Sequence, residues 1–221
     1  MLHGSIKSTR QELVSTAPLF DLIIMDPPWP NRSAKRKRGG YSTCYGREDT
    51  RRLLSLIPIS TQLAPGGVVA IWVTNSPNMT ELLTAHNGLL KEWGLVPVAE
   101  WIWLKVTSAG EPICDVQSNW RKPWERLLIA RRKGQAHSTL DIVDKKVIVS
   151  VPDVHSRKPS LKRLFDEIMP PDYQALEVFA RYLSAGWWSW GDEVTMHQSD
   201  EHWTKYPDVE VRSEEAIDQA D

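Results

Sequence analysis

Cysteine is nearly absent from this chain: Cys44 and Cys114 are the only two among 221 residues. They form no metal-ligand pattern and no disulfide framework, which fits a reducing, intracellular compartment. No run approaches the ~20 consecutive apolar residues of a membrane span, and Met1-Leu2-His3-Gly4 does not open a secretory signal. No membrane partner is therefore expected. No Gly-x-Gly loop follows the apolar run that ends near Phe179, so the glycine fingerprint of many cofactor-binding sheets is missing. No internal repeat or low-complexity linker divides the chain either.

What is plentiful is tryptophan, with eleven residues. Aromatic side chains serve cores, but they also stack on bases. The 41% apolar and 25% charged fractions are those of a globular protein. The length suits one domain with a tail: a short extension over residues 1–18, a folded domain over 19–198 and an acidic, disordered tail over 199–221.

A net charge of −1 hides an asymmetry. Between Asn31 and Arg52 stand eight basic residues against Glu48 and Asp49, whereas Ser199–Asp221 holds eight acidic residues against Lys205 and Arg212. The basic stretch reads either as a phosphate-attracting surface or as a solvated loop. Within it, Lys35-Arg36-Lys37-Arg38 also has the composition of a nuclear import signal. The acidic end adds solubility.

Hydrophobic patterning predicts strands alternating with helices. Asp21–Asp26 reads as a strand, Glu48–Leu63 as a helix ended by Ala64-Pro65-Gly66-Gly67, and Val68–Thr74 as a buried strand. A helix opens at Pro77 and runs to about Trp93, and Leu95–Lys105 is a strand. After a polar stretch, Val106–Lys122, strands resume at Glu125–Arg131 and Lys146–Ser150. Pro159–Met169 reads as a helix, Ala175–Ala180 as a buried strand and Gly186–Val194 as two edge strands or a hairpin. This alternation argues for an α/β fold with a Rossmann-like, doubly wound, mainly parallel sheet. Ligands of such sheets sit at the carboxyl ends of strands, near the topological switch point. Asp26 and Arg181 both fall at such ends and are expected to face one cleft.

The most informative residues are Asp26-Pro27-Pro28-Trp29, directly after Leu22-Ile23-Ile24-Met25. Two prolines donate no backbone hydrogen bond, so the strand must stop at Asp26. The corner then presents a carboxylate, a carbonyl and an indole face. A flat base bearing an amine needs that set: acceptors for two N–H hydrogens and a plane to stack on. A second constellation is His155-Ser156-Arg157-Lys158-Pro159 before a helix, where free N–H groups would favour an anion. Taken alone, a histidine such as His155 is more often a hydrogen-bonded loop residue than a ligand.

Taken together, these motifs resemble the MT-A70 family of adenosine methyltransferases, and most closely its methyltransferase-like protein 4 branch. The likeness runs from about Phe20 to Met196. It rests on Asp26–Ser33, Ile71–Asn75, Ala99–Lys105, Arg121–Glu125, Ile148–Pro152, Val154–Pro159, Glu177–Arg181 and Gly186–Val194. The resemblance implies a class I fold with permuted motif order, S-adenosyl-L-methionine as methyl donor and the 6-amino group of adenine as acceptor. It assigns catalysis to Asp26, Pro27, Pro28 and Trp29. Donor contacts are implied for Asp26, Lys122, His155, Lys158, Arg181, Asp192 and Glu193. Asp192 stands where relatives commonly have Asn, and Tyr182 replaces an Asn usual in that branch. Missing glycines after Phe179 are normal for the family.

Candidate substrate contacts are Asn31, Arg32, Lys35, Arg36 and Arg38 in the basic overhang, and Trp120 in the second polar loop. These loops are expected to close over the substrate. RNA, of small nuclear RNA type, is the favoured substrate, with DNA adenine as the alternative and a nuclear or nucleocytoplasmic location implied. A partner-binding scaffold without activity belongs to another class, but such relatives usually lose the Asp or Trp that this chain keeps. A small-molecule amine methyltransferase is disfavoured by the basic overhang. The named branch tends to act as a monomer, whereas other members pair with a related subunit. The chain begins almost at its first strand, as either a minimal member or a fragment would.

Overall fold

Leu22-Ile23-Ile24-Met25 is apolar on both sides of any strand it forms, so it demands cover on both faces. The computed structural model of the chain describes residues 1–30, 46–118, 120–134, 142–153 and 157–198. In chain order the elements are β1 (Leu2–His3), α1 (Ile6–Thr16), β2 (Phe20–Met25), α2 (Arg47–Ser55), α3 (Ile59–Gln62) and β3 (Leu63–Val73). They continue with α4 (Pro77–Thr84), α5 (Leu89–Glu92), β4 (Leu95–Lys105), β5 (Trp124–Arg132), β6 (Lys145–Ser150), α6 (Lys162–Asp166), β7 (Ala175–Val178) and β8 (Trp188–Gly191).

One eight-stranded sheet results, in the order β1-β8-β7-β2-β3-β5-β4-β6. Every pairing is parallel except those of β5 with β3 and β4. The expected α/β sheet is therefore present, with one reversed strand. Along β2 the side chains alternate between two cores: Phe20, Ile23 and Met25 enter one, Leu22 and Ile24 the other. Each such aliphatic residue, once fully buried, contributes about 1.5–3 kcal/mol. From β2 the chain winds to β3 on one side and returns through β7 on the other, so the crevice at the switch point opens between β2 and β7.

The first sixteen residues join this framework. Leu2 and His3 pair with Trp190 and Gly191 of β8. Helix α1 is capped by Ser5, whose side chain accepts from Ser8 N–H at 3.2 Å. It buries Ile6 and Leu13.

Several boundaries differ from the sequence reading. The helix expected over Glu48–Leu63 is two helices, because Pro58 interrupts it and caps α3. Strand β3 starts at Leu63 rather than Val68, with an irregularity between the Phe20–Leu63 and Leu22–Val68 pairings. Gly67 makes that bend possible, since a Cβ there would lie 3.0 Å from both Ala64 O and Phe20 O. The helix expected from Pro77 to about Trp93 breaks at Ala85–Gly88, where the backbone of Gly88 approaches the Leu83 carbonyl so closely that a Cβ would lie 2.5 Å from it. The helix expected over Pro159–Met169 is only α6, five residues long. Gly186–Val194 holds one strand, not a hairpin, and β1 covers its outer side.

Candidate active site

Strand β2 ends where Pro27 and Pro28 remove the next two donors, which leaves Asp26 at the mouth of the switch-point crevice. Strand β7 runs parallel beside it, with Ile24 opposite Glu177 and Met25 opposite Val178. The next residue, Phe179, has φ 59°, a left-handed conformation that glycine usually takes. The turn leading to Arg181 is thus made without the missing glycines, at a strain of roughly 1–3 kcal/mol. Asp26, Lys158, Glu177, Arg181, Tyr182 and Trp72 all line one cavity of about 20 Å³. A wider pocket of about 270 Å³ adjoins it, and Arg157, Lys158 and Tyr182 border both.

A chain of charges runs into this cavity. Lys105 at the end of β4 pairs with Glu125 at the start of β5. Lys158 Nζ lies 3.2 Å from Glu125 Oε2 and 3.0 Å from Asp26 Oδ2, and its side chain is only 13% exposed. Its ammonium also lies 5.9 Å from the Trp72 ring centre. Burial alone would lower the Lys158 ammonium, but Asp26 and Glu125 outweigh it and raise its pKa above the ordinary value. Burial likewise opposes ionisation of Glu125, yet Lys158 and Lys105 hold it below the usual carboxylate range.

Glu177 has no such compensation. Its Oε2 is buried without a hydrogen-bond partner. Burial first, and the neighbouring Asp26 second, push this acid up to about 8. Burial also holds the Tyr182 phenol well above its ordinary value. Arg181 Nε lies 3.3 Å from Glu193 Oε2, and Arg157 lies 2.6 Å from Asp153 Oδ2.

The proline corner is rigid. Trp29 N–H donates to Pro27 O at 2.8 Å, and Trp29 Nε1 donates to the Trp72 carbonyl at 2.8 Å. The indole is thereby fixed in plane and azimuth, half-buried, while one lone pair of Pro27 O remains available.

The residues expected from sequence divide into three groups. Asp26, Lys158 and Arg181 meet in the cavity, with Glu193 held to Arg181. Lys122 and Asp192 lie outside its lining, and the Asp192 backbone carbonyl faces the His3 ring at 2.9 Å. Trp120 is 99% exposed. Asn31, Arg32, Lys35, Arg36, Arg38 and His155 lie outside the described residues. The anion site expected at a helix start near Pro159 is corrected: α6 begins only at Lys162, and Lys158 reaches the cavity by its side chain instead. Trp72 and Trp103 are buried in the core. Among the other tryptophans, Trp187 donates to Tyr173 Oη at 3.0 Å and Trp188 packs on Phe20.

Sequence reasoning passed over Glu125 and Glu177. A signal existed for Glu177, because a lone carboxylate inside Ala-Leu-Glu-Val-Phe-Ala must be buried in a central strand. Glu125 showed none, since its partners come from β4 and from residue 158.

The arrangement presents acids for a cationic or N–H-bearing ligand, cations for its anionic end, and a fixed aromatic face. Among the described residues, no three His, Cys, Asp or Glu side chains gather to hold a metal.

Comparison with known proteins adds to this picture. The MT-A70 family model matches residues 20–193. The N6-methyladenosine RNA methyltransferase MTA1 of Cryphonectria parasitica is 53% identical over 92% of the chain and 60% of its own length. The N(6)-adenine-specific methyltransferase METTL4 of Homo sapiens is 36% identical over 86% of the chain and 41% of its own length. A DNA N6-methyl methyltransferase of Caenorhabditis elegans is 33% identical over 91% of the chain and 53% of its own length. The chain thus spans about half the length of these relatives. The higher identity to the fungal protein corrects the expected placement nearest the methyltransferase-like protein 4 branch.

Proposed function

This chain belongs to the MT-A70 family, and from that premise we propose that it transfers a methyl group from S-adenosyl-L-methionine to the 6-amino group of adenine in RNA. Support comes from one observation above all: Asp26, Lys158 and Arg181 converge on a cavity at the carboxyl ends of β2 and β7.

The bulk of such a donor needs the wider adjoining pocket, and the charges that line the cavity suit one end of it. A donor with a positive sulfur and ammonium needs acidic neighbours, and Glu177 Oε2 is buried there with no partner. Its carboxylate suits Arg157 and Lys158, and its ribose hydroxyls suit Arg181 and Glu193. When bound, the donor supplies a methyl group made electrophilic by sulfonium.

The acceptor amine is a poor nucleophile, because its lone pair is delocalised into the ring. Asp26 and the free lone pair of Pro27 O accept its two hydrogens and draw the nitrogen toward a pyramidal geometry. Trp29, pinned to the Trp72 carbonyl, holds the base by stacking. Placement and electrostatics, rather than a covalent intermediate, then provide the acceleration. Pro28 keeps the corner rigid. We further assign Trp120 and the basic residues Arg32, Lys35, Arg36 and Arg38, with Asn31, to the strand around the target, and Lys122, His155 and Asp192 to the part of the donor that extends beyond the cavity lining.

RNA is favoured because the fungal relative at 53% identity is named for RNA. The Caenorhabditis elegans relative, named for DNA, favours DNA as the second reading. A base inside a duplex must first be flipped out, which favours single-stranded substrate in either case. Matched RNA and DNA oligonucleotides, small nuclear RNA sequences among them, assayed side by side test the order. Faster turnover of DNA than of every RNA would reverse it.

A further inference from the structure

Glu177 has a role beyond the acceptor chemistry. It lies in the middle of the sheet on β7, flanked by Ile24 of β2 and Ser189 of β8. Glu177 Oε2 and Ser189 Oγ, neighbours on adjacent strands, are both buried without a hydrogen-bond partner. An ionised carboxylate left so is costly.

The charged and titratable groups around Glu177 come from four directions. Asp26 stands at the end of β2, and Arg157 and Lys158 precede α6. Arg181 and Tyr182 follow β7, and His197 follows β8. The positive members have acidic partners of their own: Lys158 on Asp26 and Glu125, Arg157 on Asp153, and Arg181 on Glu193. No ion pair joins any of them to Glu177 among the described residues.

We propose that Glu177 is a neutral acid in the donor-free protein and ionises when the cationic methyl donor enters, so that donor capture releases one proton. This rests on the S-adenosylmethionine reading above. The balance is simple: the Glu177 O–H bond breaks, the proton passes to bulk buffer, and the carboxylate that remains faces the positive end of the donor. With the acid pushed up to about 8, the neutral form dominates in the free protein below that pH. Donor affinity therefore rises with pH and levels off near 8. The pocket selects for charge on the sulfur as well as for shape, so S-adenosylhomocysteine, which lacks it, displaces less of the proton.

Isothermal calorimetry of S-adenosylmethionine against this chain, at about pH 6.5 in two buffers of different ionisation enthalpy, tests the coupling. The expected result is release of about one proton by the wild type and none by Glu177→Gln, which still binds. The donor Kd should fall toward tenfold between about pH 6 and pH 7 in the wild type and stay flat in the variant. Binding heat that is the same in both buffers for the wild type overturns the proposal, as does equal proton release by Glu177→Gln. If the variant does not fold, the wild-type comparison decides alone. A wild type that binds no S-adenosylmethionine in either buffer overturns the donor reading itself, a distinct outcome.

Discussion

Lys158 Nζ lies 3.0 Å from Asp26 Oδ2, although 132 residues separate them in the chain. The contact ties the proline corner after β2 to the segment before α6, with Glu125 completing the pair at 3.2 Å. Lys158→Ala leaves two carboxylates facing one another with no cation between them. Destabilisation of about 3 kcal/mol is expected, measured by urea unfolding, and methyl transfer should fall with it. Lys158→Arg should recover much of the stability but less of the activity, since a planar fork does not replace a point charge.

Asp26→Asn keeps the shape of the side chain and removes its charge. Methyl transfer should drop by about 100-fold or more, the range for loss of one preorganised polar group. S-Adenosylmethionine binding, measured by calorimetry, should weaken far less. A folded Asp26→Asn protein with wild-type turnover would remove the proposed acceptor chemistry.

Trp29→Phe keeps an aromatic face but loses the 2.8 Å bond to the Trp72 carbonyl. That bond is worth about 1 kcal/mol, visible as a lower midpoint in urea. The freed ring should raise KM for the nucleic acid more than it lowers kcat. Equal loss in both would point to a direct role in the chemical step.

Stability itself should depend on Glu177. Its folded-state pKa, about 8, lies above the ordinary 4.5. The contribution is therefore full below pH 4.5 and is lost as pH rises through 8. Up to about 1.4 kcal/mol per pH unit is at stake, less where water reaches the group. Glu125 works in the opposite sense: its lowered pKa gives stability that is present above 4.5 and lost as pH falls through the folded value. Glu177→Gln should be more stable than wild type at pH 8 and lose the decline above pH 6, as read by urea midpoints across that range. A wild type with a flat profile there would contradict the burial argument.

Much of this was legible in the residues because period and punctuation agree. Leu22–Met25 can only be a two-face-buried strand, and Pro27-Pro28 can only end it. Likewise Asp26 and Arg181 each follow an apolar run, which is what puts a polar residue at a strand's carboxyl end. Helix continuity was less legible. Pro58 and the Ala85–Gly88 break interrupt patterns whose apolar spacing is otherwise unbroken, because a close backbone approach at Gly88 leaves no mark on hydrophobic periodicity. Glu125 was invisible for another reason: its importance comes from which strands lie beside it, and pairing partners are not written in local sequence.

The reversed direction of β5 has its own consequence. Parallel strands offer a crevice only the residues with which they finish. A single strand laid the other way contributes residues from where it starts, and here Glu125, the second residue of β5, is the one that reaches Lys158. Looking only at where strands finish would therefore overlook one of the two carboxylates that share the ammonium of Lys158, and a redesign that restored uniform strand direction would leave that ammonium with Asp26 alone.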